Sequence, residues 1–148
     1  MRTDAQLREV FNATFDALPP DVRFAIEELW HNFDVEREAG GNHGRFRPSV
    51  LTQAVLSETP SRTGESNGLF FRFKTSVVDN APDDILKILI AHEIAHAFRA
   101  AMRLQGKIPQ ETNPDAEENT ANALQEGWGF SRNRLLEWLG QNEAALQI

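Results

Sequence analysis

Residues 82–105, PDDILKILIAHEIAHAFRAAMRLQ, decide how the rest of the chain must be arranged. Asp79-Asn80-Ala81-Pro82 gives a polar entry with proline near the first helical turn, and Gly106 gives a stop. The spacing predicts one helix running to about Gln105. Ile85, Leu86, Ile88, Leu89, Ile90, Ile94, Ala95, Phe98 and Met102 cover most of its circumference. A helix that is apolar nearly all round belongs in the middle of a domain, with other elements wrapped over it.

Working outward, Asn113-Pro114 opens a further helix ending near Gly127 or Gly129, and residues 131–140 form a last helical segment expected to bury Leu135, Leu136, Trp138 and Leu139. Upstream, Leu69–Val78 alternates. Leu69, Phe71, Phe73, Thr75 and Val77 point one way, with Phe70, Arg72, Lys74, Ser76 and Val78 opposite. This predicts a strand with one wetter face, at or near a sheet edge. Residues 49–57 fit a short strand or a short helix equally well. Residues 39–47 hold three glycines within five positions and read as a loop. Residues 4–17 carry Leu7, Val10, Phe11, Thr14, Phe15 and Leu18 at helical spacing. After Pro19-Pro20 the same spacing, through Val22, Ile26, Leu29, Trp30 and Phe33, predicts a second helix over about 20–38. Helices around one small sheet give the α+β class.

The chain of 148 residues has no internal repeat and no linker, so one domain over 1–148 is expected. With 41% apolar and 25% charged residues it has the composition of a folded protein. Lys and Arg number 15 against 22 Asp and Glu, a net charge of −7, which disfavours nucleic acid and anionic membranes as partners. The absence of cysteine excludes disulfides, thiol catalysis and a cysteine zinc ribbon. No apolar run is long enough to span a bilayer, and MRTDAQLREV is charged where a signal peptide is apolar. A cytoplasmic protein is expected.

The central helix contains His92-Glu93-Ile94-Ala95-His96. Four helical residues turn the chain by about 400°, which sets the two imidazoles about 40° apart and about 6 Å along the axis. Both can then ligate one ion. Glu93 lies about 100° round from His92, poorly placed as a ligand but within reach of a water on the ion. Charged and polar groups on a buried helix need a compensating partner, and a cation is one. A catalytic zinc site wants a third protein ligand and an open position. The helix from 114 offers Glu117, Glu118 and Glu126. Periodicity points Glu117 furthest inward, with Ala121, Leu124 and Trp128, and puts Glu118 at the rim with Asn122 and Gln125. Glu126 reads as a surface residue.

His92-Glu93-x-x-His96 followed by Glu118-x-x-Ala121-Asn122 resembles the gluzincin metallopeptidases, especially their minimal forms and the ImmA/IrrE-type proteins. The likeness spans roughly residues 69–130. It implies a zincin-like fold in which a small sheet packs on the motif helix. It also implies zinc held by His92, His96 and Glu118, with Glu93 as general base and Asn122 supporting the site; Glu117 is the rival third ligand. Two imidazoles and a carboxylate suit zinc, although manganese and iron accept the same donors. The implied activity is hydrolysis of a peptide or protein substrate, whose extended chain pairs with a free edge of the Leu69–Val78 strand. In that mechanism zinc activates water, while Glu93 takes its proton and passes it to the leaving amine. This chain has no tyrosine to stabilise an oxyanion, which leaves His31, His43, Arg72 and Arg99 as candidates. The alternative is a regulatory or interaction protein that keeps the site and uses the metal mainly for stability.

Overall fold

The computed structural model describes residues 2–30, 32–37, 52–56 and 68–146. In chain order its elements are α1 (Asp4–Asp16), α2 (Pro20–Glu27), β1 (Asn32–Arg37), β2 (Thr52–Leu56), β3 (Gly68–Phe73), α3 (Thr75–Asn80), α4 (Asp83–Leu104), α5 (Pro114–Gly127) and α6 (Arg132–Leu146). The three strands form one mixed sheet in the order β1-β3-β2, β1 parallel and β2 antiparallel to β3. The class is α+β.

The apolar helix α4 lies in the middle, in contact with α1, α2, α5, α6 and strand β2. Ile85, Leu86, Ile90, Ile94, Ala97 and Ala101 are fully buried along it. On the sheet, Phe71 packs against Phe11 of α1 with ring centroids 4.9 Å apart and the rings tilted by 48°, and Trp30 and Phe73 join the same core. Arg2 reaches the start of α4, bonding the Val78 carbonyl and pairing with Asp83 at 2.6 Å. Helix α4 ends in a Schellman turn, in which Gly106 (φ +72°) donates to Arg103 and Lys107 donates to Met102. Helix α5 ends likewise, with Gly129 (φ +96°) donating to Glu126 and Phe130 donating to Gln125. Both glycines occupy backbone conformations that a side chain would strain. No helix among the described residues is long and apolar enough to cross a membrane.

Several sequence expectations are corrected. The helix expected over 20–38 stops at Glu27, and residues 32–37 are strand β1. Leu29, Trp30 and Phe33 continue the helical spacing, but Phe33 and Val35 also satisfy a two-residue alternation. The ladder to β3, with Val35 opposite Phe71, prevails over the local pattern. The strand expected over 69–78 ends at Phe73, and Thr75–Asn80 form α3, burying Val77 and Val78. Nor is it an edge strand with a wetter face. β3 is central, both its sides are occupied by β1 and β2, and Arg72 is as buried as Phe71 and Phe73. Arginine marks an exposed face only when nothing covers its aliphatic stem. Residues 52–56, left open between strand and helix, are strand β2. Leu136, expected in the core, is 48% exposed, while Trp138 is buried and Leu135 and Leu139 partly so. The whole of the loop expected at 39–47, with His43, and also His31, lie outside the described residues.

Candidate metal centre

The HExxH segment lies in the middle of α4, where Ala91, Ile94, Ala95 and Ala97 are buried and fix the helix's rotation. That leaves His92 and His96 on the side facing α5. Their rings meet edge-on, with centroids 4.8 Å apart and an interplanar angle of 86°, and their Nε2 atoms are 3.2 Å apart. Asn113 caps α5 by accepting from the Asp115 and Ala116 amides. The Phe98 and Trp128 rings, 6.3 Å apart and tilted, hold α5 to α4. One turn into α5, Glu118 sends Oε2 to within 3.1 Å of His92 Nε2 and Oε1 to within 3.0 Å of His96 Nε2. His92, His96 and Glu118 are thus brought together closely enough to hold one metal ion.

The hydrogen bonds behind the imidazoles fix what the facing nitrogens can do. Buried Gln125 donates through Nε2 to the Phe130 carbonyl at 3.2 Å, so its Oε1 is the atom 3.1 Å from His92 Nδ1. His92 must therefore carry a proton on Nδ1. His96 Nδ1 lies 3.3 Å from Glu117 Oε1, which can only accept while ionised. Burial raises the Glu117 pKa. The Arg99 hydrogen bond, the His96 hydrogen bond and the charges of Arg103 and Arg99 outweigh it and hold the carboxyl below its ordinary value. A ring that carries its one proton on Nδ1 presents a lone pair at Nε2, the form in which it ligates a metal. In that form the two Nε2 atoms and the Glu118 carboxylate make up a set of acceptors. Such a set repels itself unless a cation stands between the atoms. An ion with bonds of about 2.0–2.1 Å in tetrahedral geometry spaces its donor atoms by about 3.3–3.4 Å. The separations of 3.0–3.2 Å are close to that.

The geometry also separates the two glutamates that periodicity left in competition. Glu117 does point inward, at 18% side-chain exposure against 55% for Glu118. Inward means toward arginine: it accepts from Arg99 Nε at 2.8 Å and from Arg103 Nη2. It stands behind His96, and Glu118 faces the ion position. Glu126 is exposed and accepts from the Arg132 amide.

The centre opens onto a cleft of about 660 Å³. Its floor is α4, through Leu89, His92 and Glu93. One wall is the Asp115, Glu118, Asn119 and Asn122 face of α5, and the other is α6. Glu93 is 93% buried, with its edge on the cleft beside His92. Asn122 lines the wall one turn beyond Glu118, and the contacts that orient the histidines come from Gln125 and Glu117. Of the arginines considered for charge stabilisation, Arg99 is engaged by Glu117 and Arg72 is buried in the central strand.

Sequence reasoning missed Gln125 and Arg103. Gln125 had a signal: it shares the Glu118–Asn122 face at helical spacing, as a polar residue that turns out fully buried. Its replacement by leucine is expected to free the His92 ring and weaken metal affinity about 10–100-fold, as read by competition with a chromogenic chelator. Gln125→Glu, which restores an acceptor, is expected to lose less. No family model, curated protein or solved structure matches the chain.

Proposed function

We propose that the chain is a zinc-dependent metallopeptidase of the minimal gluzincin type, with a zincin-like fold. The observation that carries this reading is the convergence of two imidazole Nε2 atoms and one carboxylate at 3.0–3.2 Å, beside Glu93 on the floor of an open cleft. The fold gives further support: the motif helix packs on a small sheet, and the next helix brings the third donor.

A bound zinc ion supplies Lewis acidity and a water whose pKa falls to about 7. His92, His96 and Glu118 would hold it, and Gln125 and Glu117 keep each imidazole aimed with Nε2 forward. The exposed side of Glu118 leaves room for solvent and a scissile carbonyl. Glu93 accepts a proton on its carboxylate and returns it to the amine that leaves. The walls from α5 and α6 limit access to an extended segment. Since β3 is flanked on both sides, its edge takes no part in substrate binding.

Protein purified without added metal is expected to contain about one zinc per chain, and His96→Ala almost none. A quenched fluorescent peptide library should be cut by the zinc form and spared after chelation. Chelation that lowers only the melting temperature, with no turnover lost because none was present, would favour the structural-metal alternative.

A further inference from the structure

Two features of the cleft play no part in holding an ion. Arg132, Leu135, Leu136 and Leu139 follow one another at helical spacing and line the α6 wall. The half-exposed Leu136 and its neighbours leave apolar surface in a wet cleft beside the centre. Among the described residues, the Arg132 guanidinium has no ion-pair or hydrogen-bond partner; its backbone N–H donates to Glu126 Oε1 at 3.1 Å. That bond seats the start of α6 against the C-terminal end of α5. Arg132 therefore lies at one end of the cleft, and Asp115, about 16 Å back along α5, lies toward the other.

We propose that the cleft takes short peptides that lodge an apolar side chain against Leu135, Leu136 and Leu139 and present a carboxylate to Arg132. This assignment rests on the metallopeptidase reading, and it names the substrate class. A guanidinium matches a carboxylate with two parallel hydrogen bonds, a geometry that also fixes register. Asp115 repels the same carboxylate in the reversed orientation and so sets the direction in which the peptide lies. A volume of about 660 Å³ suits a short extended segment. The carboxylate has two sources, a free chain end or an acidic side chain.

The test is calorimetric titration of the zinc-loaded Glu93→Gln protein, which keeps peptides intact. The probes are N-acetylated pentapeptides with central leucine: one with a free C-terminus, one amidated and neutral, and one amidated with a glutamate. At least one carboxylate form is expected to bind about tenfold or more tightly than the neutral peptide, and the tighter form names the source. Arg132→Ala should remove that advantage, and Arg132→Lys should keep part of it, which separates charge from any disturbance of α6. Serine in place of the peptide's leucine, or Leu136→Ser in the protein, should cost about tenfold. Equal binding of all three peptides, no binding, or an advantage that survives Arg132→Ala overturns the proposal. Cleavage of the same peptides by the unsubstituted protein is scored separately. An Arg132-dependent preference without cleavage keeps this assignment and removes the peptidase reading. Cleavage with carboxylate-indifferent binding does the reverse.

Discussion

Glu93→Gln is expected to lower peptidase turnover by about 10²–10⁴-fold while leaving about one zinc per chain. The substitution keeps the size and most of the hydrogen-bonding capacity of the side chain, and removes its ability to take up a proton. None of the three converging donor atoms belongs to Glu93, so metal content should not follow activity. Folding should not follow it either. Glu93 is 93% buried, and glutamine fills the same space in the folded state. Steady-state kinetics on the cleaved library peptide, elemental analysis and a thermal melt together read these three quantities. Unchanged turnover would remove Glu93 from the chemistry. Loss of turnover together with loss of zinc would mean that it supports the ion instead.

The contrast between Glu93 and its neighbours shows what sequence can and cannot specify. Helix α4 was legible because its pattern is local: apolar residues around the whole circumference, a proline entry and a glycine stop. The relation of His92 to His96 follows from helix geometry alone, which needs no tertiary information. Strand β1 was not legible, because Ile26, Leu29, Trp30 and Phe33 satisfy the helical period and the deciding partner, β3, begins more than thirty residues later. The faces of β3 were misread for the same kind of reason. Alternation reports which residues share a side, and whether that side is covered depends on the rest of the fold. At the site, the two halves of the donor set lie on different helices. Their meeting is a property of how α5 docks on α4, and so is the partnership of Gln125 with His92 across 33 residues. Periodicity placed Glu117 inward correctly, yet inward contact is made with Arg99 and Arg103.

That last distinction yields the other large effect, because Glu117 and Glu118 should respond to the same substitution in opposite ways. Zinc binding by protein sites is worth about 10–16 kcal/mol, so losing one anionic ligand of three costs roughly 3–5 kcal/mol, on the order of a hundred- to several thousand-fold in affinity. Glu118→Gln should show that loss. Its metal-free form should melt close to the parent, since the side chain is 55% exposed and exposed pairs contribute little to stability. Glu117→Gln should weaken zinc only about 10–100-fold, through a less firmly held His96. Its metal-free form, however, should lose about 1–3 kcal/mol of stability, because Arg99 and Arg103, each 15% exposed, lose their shared carboxylate. Zinc affinity by chelator competition and denaturant melts of the metal-free proteins give four numbers, and the two variants should cross between them. If Glu117→Gln abolished zinc binding and Glu118→Gln merely weakened it, the two roles would have to be exchanged. A shared loss of both properties in both variants would mean that the carboxylates act as one cluster, in which no single residue is the third ligand.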